Sequence, residues 1–313
     1  MRQVSPKLQS WLVEFNRQAA LLLENGFTPT PASAREGLAY LTRELVTSIP
    51  SIAWVEDAFV QGALSNVPVR IYHPAPEQAL PVLVFYHGGG HMAGSVSVYD
   101  PICRKLAKAT QHIVVSVEYR LAPENPYPAG LNDAYIVAQT IWTTLDNSAL
   151  NYLPRLSLAG DSAGGALVAS VSAKAQCDDT VKIAKQVLIY PSLDYTLSSD
   201  SVEENSTGYL LQKNKITWYF DSYFQHNENR QLASPLYGNA FSLLPETLIF
   251  TAEFCPLRDE GLRYSDKLIA AGVDVKSVHF PDMIHAFLNL ENLVKEECDA
   301  VYRTIAEFLY AHG

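Results

Sequence analysis

Cysteine is scarce: four in 313 residues, at Cys103, Cys177, Cys255 and Cys298, with no Cys-x-x-Cys pair. That spacing excludes a disulfide scaffold and a clustered thiolate metal site, so reduced thiols in a cytosol are the expected setting. Basic residues are outnumbered, 23 Lys and Arg against 33 Asp and Glu, for a net charge of −10. A polyphosphate partner requires a basic surface, and no basic stretch occurs here, which argues against nucleic acid and anionic membrane. Long apolar runs are missing too. No window approaches 18 uncharged apolar residues, and Met1-Arg2-Gln3-Val4-Ser5-Pro6 lacks the apolar core of a secretion signal, so no membrane span or export is expected.

What remains is a chain rich enough in apolar residues, at 48%, to bury one large core. Apolar, β-branched runs recur at about 52–60, 67–73, 82–86, 113–118, 156–159, 186–190, 247–251 and 275–280. From the third onward they alternate with helical patterns near 99–109, 128–146, 162–176, 258–272 and 293–311. The pattern predicts an α/β fold, an eight-stranded, mostly parallel sheet with helices on both faces. The first two runs, joined by Gln61 to Asn66, read as an antiparallel hairpin at one edge. Ahead of the sheet, Leu8, Trp11, Leu12, Phe15, Ala19, Leu22 and Leu23 recur at helical spacing, and a second helix is expected near 33–46.

Two motifs carry chemistry. Gly160-Asp161-Ser162-Ala163-Gly164-Gly165 lies between an apolar strand and a helix, a sharp corner at which glycines leave room for the backbone and Ser162 is lifted clear of the sheet. His87-Gly88-Gly89-Gly90 follows the buried run 82–86 directly, and three glycines leave backbone N–H groups open to a substrate oxygen.

Together with Tyr119 to Glu124, Leu131 to Ala134, Tyr190-Pro191, Ala233 to Leu236 and Leu257 to Gly261, these segments resemble the hormone-sensitive-lipase-like, family IV esterases of the α/β-hydrolase superfamily, from about residue 80 to the C-terminus. The resemblance implies the α/β-hydrolase fold over a single catalytic domain, 1–313, with a helical cap built from about 1–46 and 195–240. It implies a carboxylic ester hydrolase acting on small, short-acyl esters through an acyl-serine intermediate. Ser162 is then the nucleophile, and His285, in Phe280 to Phe287 beyond the last strand, the base. The backbone N–H groups of Gly88, Gly89 and Ala163 are the expected oxyanion donors, Ala163 at a helix N-terminus. His87 matches a position that shapes the glycine loop, while His91 either lines the pocket or is an ordinary loop residue. His73, His112, His226, His279 and His312 fall outside any motif. No metal or organic cofactor is implied, and a homodimer is left open.

One position departs from the pattern. Where the family carries its catalytic aspartate, this chain has Cys255, in Ala252-Glu253-Phe254-Cys255-Pro256. Asp259 matches a second acidic position and is expected to cap or ion-pair at the start of its helix. Glu253 and Asp282 are the nearby carboxylates that could substitute, Glu253 about 6.6 Å back along the strand from Cys255. A neutral acid position keeps alternatives open: a catalytically weakened small-molecule binder, or an amidase or peptidase on the same scaffold.

Overall fold

The computed structural model describes residues 2–62, 66–239 and 241–311. The expected connection at 63–65 and His312 lie outside the described residues. In chain order the elements are α1 (Pro6–Glu24), α2 (Pro31–Leu45), β1 (Trp54–Val60), β2 (Val67–His73), β3 (Leu80–Tyr86), α3 (Val96–Thr110), β4 (Ile113–Val117), α4 (Ala129–Asn147), β5 (Tyr152–Asp161), α5 (Ala163–Ala175), β6 (Ile183–Ile189), α6 (Asp200–Glu204), α7 (Lys213–Tyr223), α8 (Arg230–Ala233), β7 (Glu246–Phe254), α9 (Arg258–Ala270), β8 (Val275–Ile284) and α10 (Lys295–Tyr310). The strands form one sheet in the order β1-β2-β4-β3-β5-β6-β7-β8. β2 is antiparallel to both β1 and β4, and the other pairings are parallel.

The pleat explains why the central strands read as continuous apolar runs. On β3, Val82, Val84 and Tyr86 enter one apolar cluster with side chains of α4, α5 and α9, while Leu83 and Phe85 enter another with α3 and α10. Both faces are covered, so neither can be polar. At the β8 edge the pattern relaxes, with exposed positions alternating along the strand.

Two expectations are corrected. β8 continues through Pro281 to Ile284, although a loop is expected after residue 280. Among the described residues it pairs with β7 alone, and an edge strand tolerates a proline that donates no hydrogen bond. In α1, Leu8 and Leu12 are buried, but Leu22 and Leu23 are 53% and 59% exposed, because the last turns run past the body they would cover.

The two N-terminal helices sit above the C-terminal ends of the strands. Ser5 N–H donates to the Asp282 carbonyl at 2.9 Å, which ties the start of α1 to β8. Arg35 of α2 donates to the carbonyls of Met92 and Ala122 and pairs with Glu124, pinning that helix beside the glycine loop.

Candidate active site

The turn between β5 and α5 bends through Ser162, whose φ of +54° and ψ of −116° lie outside the regions open to an L-residue without strain. The corner closes because its neighbours are glycines: a Cβ at Gly164 would collide with the carbonyl of Tyr86, and one at Gly160 with that of Gly164. The bend thus presents Oγ above the sheet, at the N-terminus of α5.

β8 ends at Ile284, and the next residue, His285, turns back over the sheet. Its Nε2 lies 2.9 Å from Ser162 Oγ. On the far side of the ring, Nδ1 lies 3.1 Å from Cys255 Sγ, just beyond the end of β7. Tyr190, following β6, meets the imidazole edge-on with ring centres 4.9 Å apart. Ser162, His285 and Cys255 therefore form one chain of contacts.

No carboxylate among the described residues hydrogen-bonds His285. Glu253 is drawn away by Arg2, Arg258 and His279. Asp282 accepts the Ser5 N–H on its backbone carbonyl, and its carboxylate makes no hydrogen bond to His285. Asp259 pairs with Arg258 at 2.7 Å and accepts the Ser201 N–H. The partner of Nδ1 is thus a thiol, and burial pushes that thiol well above its ordinary pKa, so it stays neutral. Its sulfur also accepts the Leu257 N–H at 3.3 Å. Burial, with a smaller contribution from the charge of Lys215, lowers His285 to about 3.

The glycine loop corrects one expected donor. Gly88 N–H donates to Asp161 Oδ1 at 2.7 Å and is already spent. Gly89 and Gly90 line the cavity beside Ser162 and Ala163, and neither N–H has a partner among the described residues. Both take positive φ, which the missing Cβ permits. Asp161 has no role in the sequence reading although it sits inside the motif. It is fully buried, accepts a second hydrogen bond from Tyr99 at 3.0 Å, and burial raises its carboxyl to about 7. The sequence hint is an ionisable residue at the inner end of an otherwise apolar buried strand. Glu260 is a second missed carboxylate: buried, it accepts the N–H groups of Leu193 and Asp194 and braces the loop that carries Ser192 to the cavity.

His87 is buried, stacked on Tyr119, with Nδ1 2.8 Å from the Gly88 carbonyl. His91 does not line the cavity; it stacks on Tyr223 of α7 with ring centres 3.9 Å apart. His73, His112, His226 and His279 also lie outside the lining.

The cavity over Ser162 measures about 540 Å³. Trp11 and Phe15 of α1, Leu38 and Leu41 of α2, and Leu210, Leu211, Ile216, Tyr219 and Phe220 around α7 make its walls. Tyr219 packs on Gly90, where a Cβ would overlap its ring.

A serine at a strained strand-to-helix corner, approached by a histidine from beyond the last strand of a mostly parallel sheet, is the arrangement of the α/β-hydrolase class. The sequence profile of a family described as alpha/beta hydrolase fold matches residues 83–289. The chain belongs to that family, in its hormone-sensitive-lipase-like branch. It is 37% identical over 266 residues to the carboxylesterase NlhH of Mycobacterium tuberculosis, covering 82% of each chain. It is 32% identical to the ethyl acetate hydrolase of Pseudomonas putida, over 79% of each. Among solved structures, the hyperthermophilic esterase from Pyrobaculum calidifontis is similar with a TM-score of 0.87 and 33% identity over 98% of each chain.

Proposed function

We propose that the chain hydrolyses small, short-acyl carboxylic esters through an acyl-Ser162 intermediate, in one catalytic domain whose segments 1–46 and 195–240 act as a lid. The observation that carries this reading is the 2.9 Å separation of His285 Nε2 and Ser162 Oγ on the floor of an apolar cavity. Oγ attacks the ester carbonyl as Nε2 takes its proton. The N–H groups of Gly89, Gly90 and Ala163 hold the developing oxyanion, the last aided by the α5 dipole. The imidazolium returns the proton to the departing alcohol; water, deprotonated by the same nitrogen, then releases the acid.

Cys255 is the weak member. With Nε2 accepting from Oγ–H, Nδ1–H donates to a neutral sulfur, a poor acceptor that gives the imidazolium little support. A thiol can also turn donor toward Nδ1, which would select the opposite tautomer. The proposal is therefore a hydrolase of subdued rate, and the same contact favours the second reading, a small-molecule binder with residual turnover. An initial-rate panel of aryl esters of rising acyl length separates the two. Ser162→Ala is expected to abolish both turnover and stoichiometric labelling by an organophosphonate while the protein stays folded; labelling that persists in the variant places the nucleophile elsewhere.

The four unpaired cysteines, three of them buried, support a cytoplasmic setting. No helix among the described residues is long and apolar enough to cross a membrane. A homodimer is the assembly to test, since among the described residues β8 pairs on one side only, which suits strand addition.

A further inference from the structure

The cavity is apolar on most sides, yet Lys215, on the first turn of α7, lines it together with Gly89, Gly90, Ser162 and His285. It is half-buried, and no carboxylate among the described residues lies within ion-pair distance of it; its ammonium sits 5.7 Å from the Tyr219 ring. The other charges of the rim are satisfied. Glu14 pairs with Arg17 and Glu44 with Arg43, and the neighbouring Lys213 is held by Glu203. Lys215 is the one lysine or arginine among the described lining residues, in a protein of net charge −10 that offers abundant acids elsewhere.

We propose that Lys215 determines specificity by pairing with a second, anionic group of the substrate, so that the preferred esters carry a free carboxylate a few carbons from the scissile carbonyl. This deepens the esterase reading and rests on it. A partly desolvated ammonium gains most from an anion brought into the same low-dielectric space. The pairing also bears on the chemistry. His285 becomes a cation during acyl transfer, faces a neutral thiol at Nδ1, and feels the lysine charge, which already depresses its affinity for a proton. A substrate carboxylate seated on Lys215 cancels that charge at the step where the imidazolium forms. An anionic ester thus gains in binding and in the rate of acyl transfer.

The test compares para-nitrophenyl half-esters of succinic, glutaric and adipic acid with neutral para-nitrophenyl esters of equal chain length, in the wild-type chain and in Lys215→Met. For at least one length the wild type is expected to favour the half-ester, and the anionic-to-neutral ratio of kcat/KM to fall about tenfold in the variant, the loss of one hydrogen bond to a charged group. Added salt should shrink the wild-type ratio. Relief of the lysine charge should raise kcat on the neutral ester by about twofold or more. A ratio identical in the two proteins, or a wild-type preference for the neutral ester at all three lengths, overturns the proposal. If neither protein cleaves the neutral esters, the esterase reading itself falls, and calorimetry with glutaric acid monoamide decides the lysine separately: tighter binding by the wild type supports its role, and equal affinity overturns it.

Discussion

Replacing Cys255 by aspartate places a charge where His285 Nδ1 meets a neutral thiol. The sulfur lies 3.1 Å from His285 Nδ1, so a carboxylate on the same Cα would lie within about 4–5 Å of the centre of the imidazolium charge. Two unit charges at that separation attract by about 3–4 kcal/mol at an effective dielectric of about 20. Burial of the new carboxylate opposes this, and the Leu257 N–H, already aimed at the sulfur, offsets part of the opposition. The net expectation is a kcat rise of about 10- to 100-fold in Cys255→Asp, below the factor of about 10⁴ that separates aspartate from its amide in the serine-protease triad. The assay is the initial rate on a saturating short-acyl aryl ester, with kcat/KM followed against pH. His285 sits at about 3 in the parent, so the acid limb of the profile should climb by one or more pH units once an anion favours the imidazolium. Cys255→Ser, neutral like the thiol, should stay within a few-fold of the parent. A folded aspartate variant that labels normally with phosphonate, yet shows unchanged or lower kcat and an unmoved acid limb, refutes the role given to this position.

Asp161→Asn tests the buried carboxylate behind the nucleophile. Its folded-state pKa is raised to about 7, so the native protein holds a proton that the unfolded chain releases at about 3.9. The stability from that proton is complete below about pH 4 and is lost as pH rises to 7. Asparagine removes the ionisation, so urea unfolding should show the variant gaining about 2–3 kcal/mol on the parent between pH 5 and pH 8; a constant difference across that range would refute the shift. For the proposed lid, Trp11→Ala opens the wall formed by the Trp11–Phe15 stack and should lower kcat/KM most for the longer acyl chains of the panel, whereas an unchanged chain-length profile would remove α1 from substrate contact.

The central architecture was readable because strands buried on both faces leave unbroken β-branched runs, and the helices between them fix parallel connection. Edges were less readable. Pro281 looks like a stop signal, and only a strand paired on one side shows why it is not. Helical spacing identified the apolar stripe of α1 but carried no information about how far the body beneath it extends, hence exposed Leu22 and Leu23. Within the glycine loop, Gly88, Gly89 and Gly90 are chemically identical along the chain; the fold separates them by bringing Asp161 to the first. The pairing of Cys255 with His285 followed from the family resemblance, which places both, whereas the exclusion of Glu253 depends on Arg2 and Arg258, residues distant in sequence or on another element that no local pattern links to it.

The order of strands divides the catalytic floor into two mechanical halves. Gly89, Gly90, Asp161 and Ser162 ride on the adjacent strands β3 and β5 and are clamped together by the Gly88–Asp161 hydrogen bond, while Cys255 and His285 ride on the adjacent strands β7 and β8. Between the halves stands β6, and the 2.9 Å contact of serine and histidine spans it. Any loosening of the sheet toward its β8 edge, whether by heat, denaturant or a cavity under β7, would lengthen that span before it disturbed the proposed oxyanion donors. Inactivation should therefore run ahead of unfolding, through a form that still accommodates a carbonyl oxygen but has lost the means to deprotonate its nucleophile.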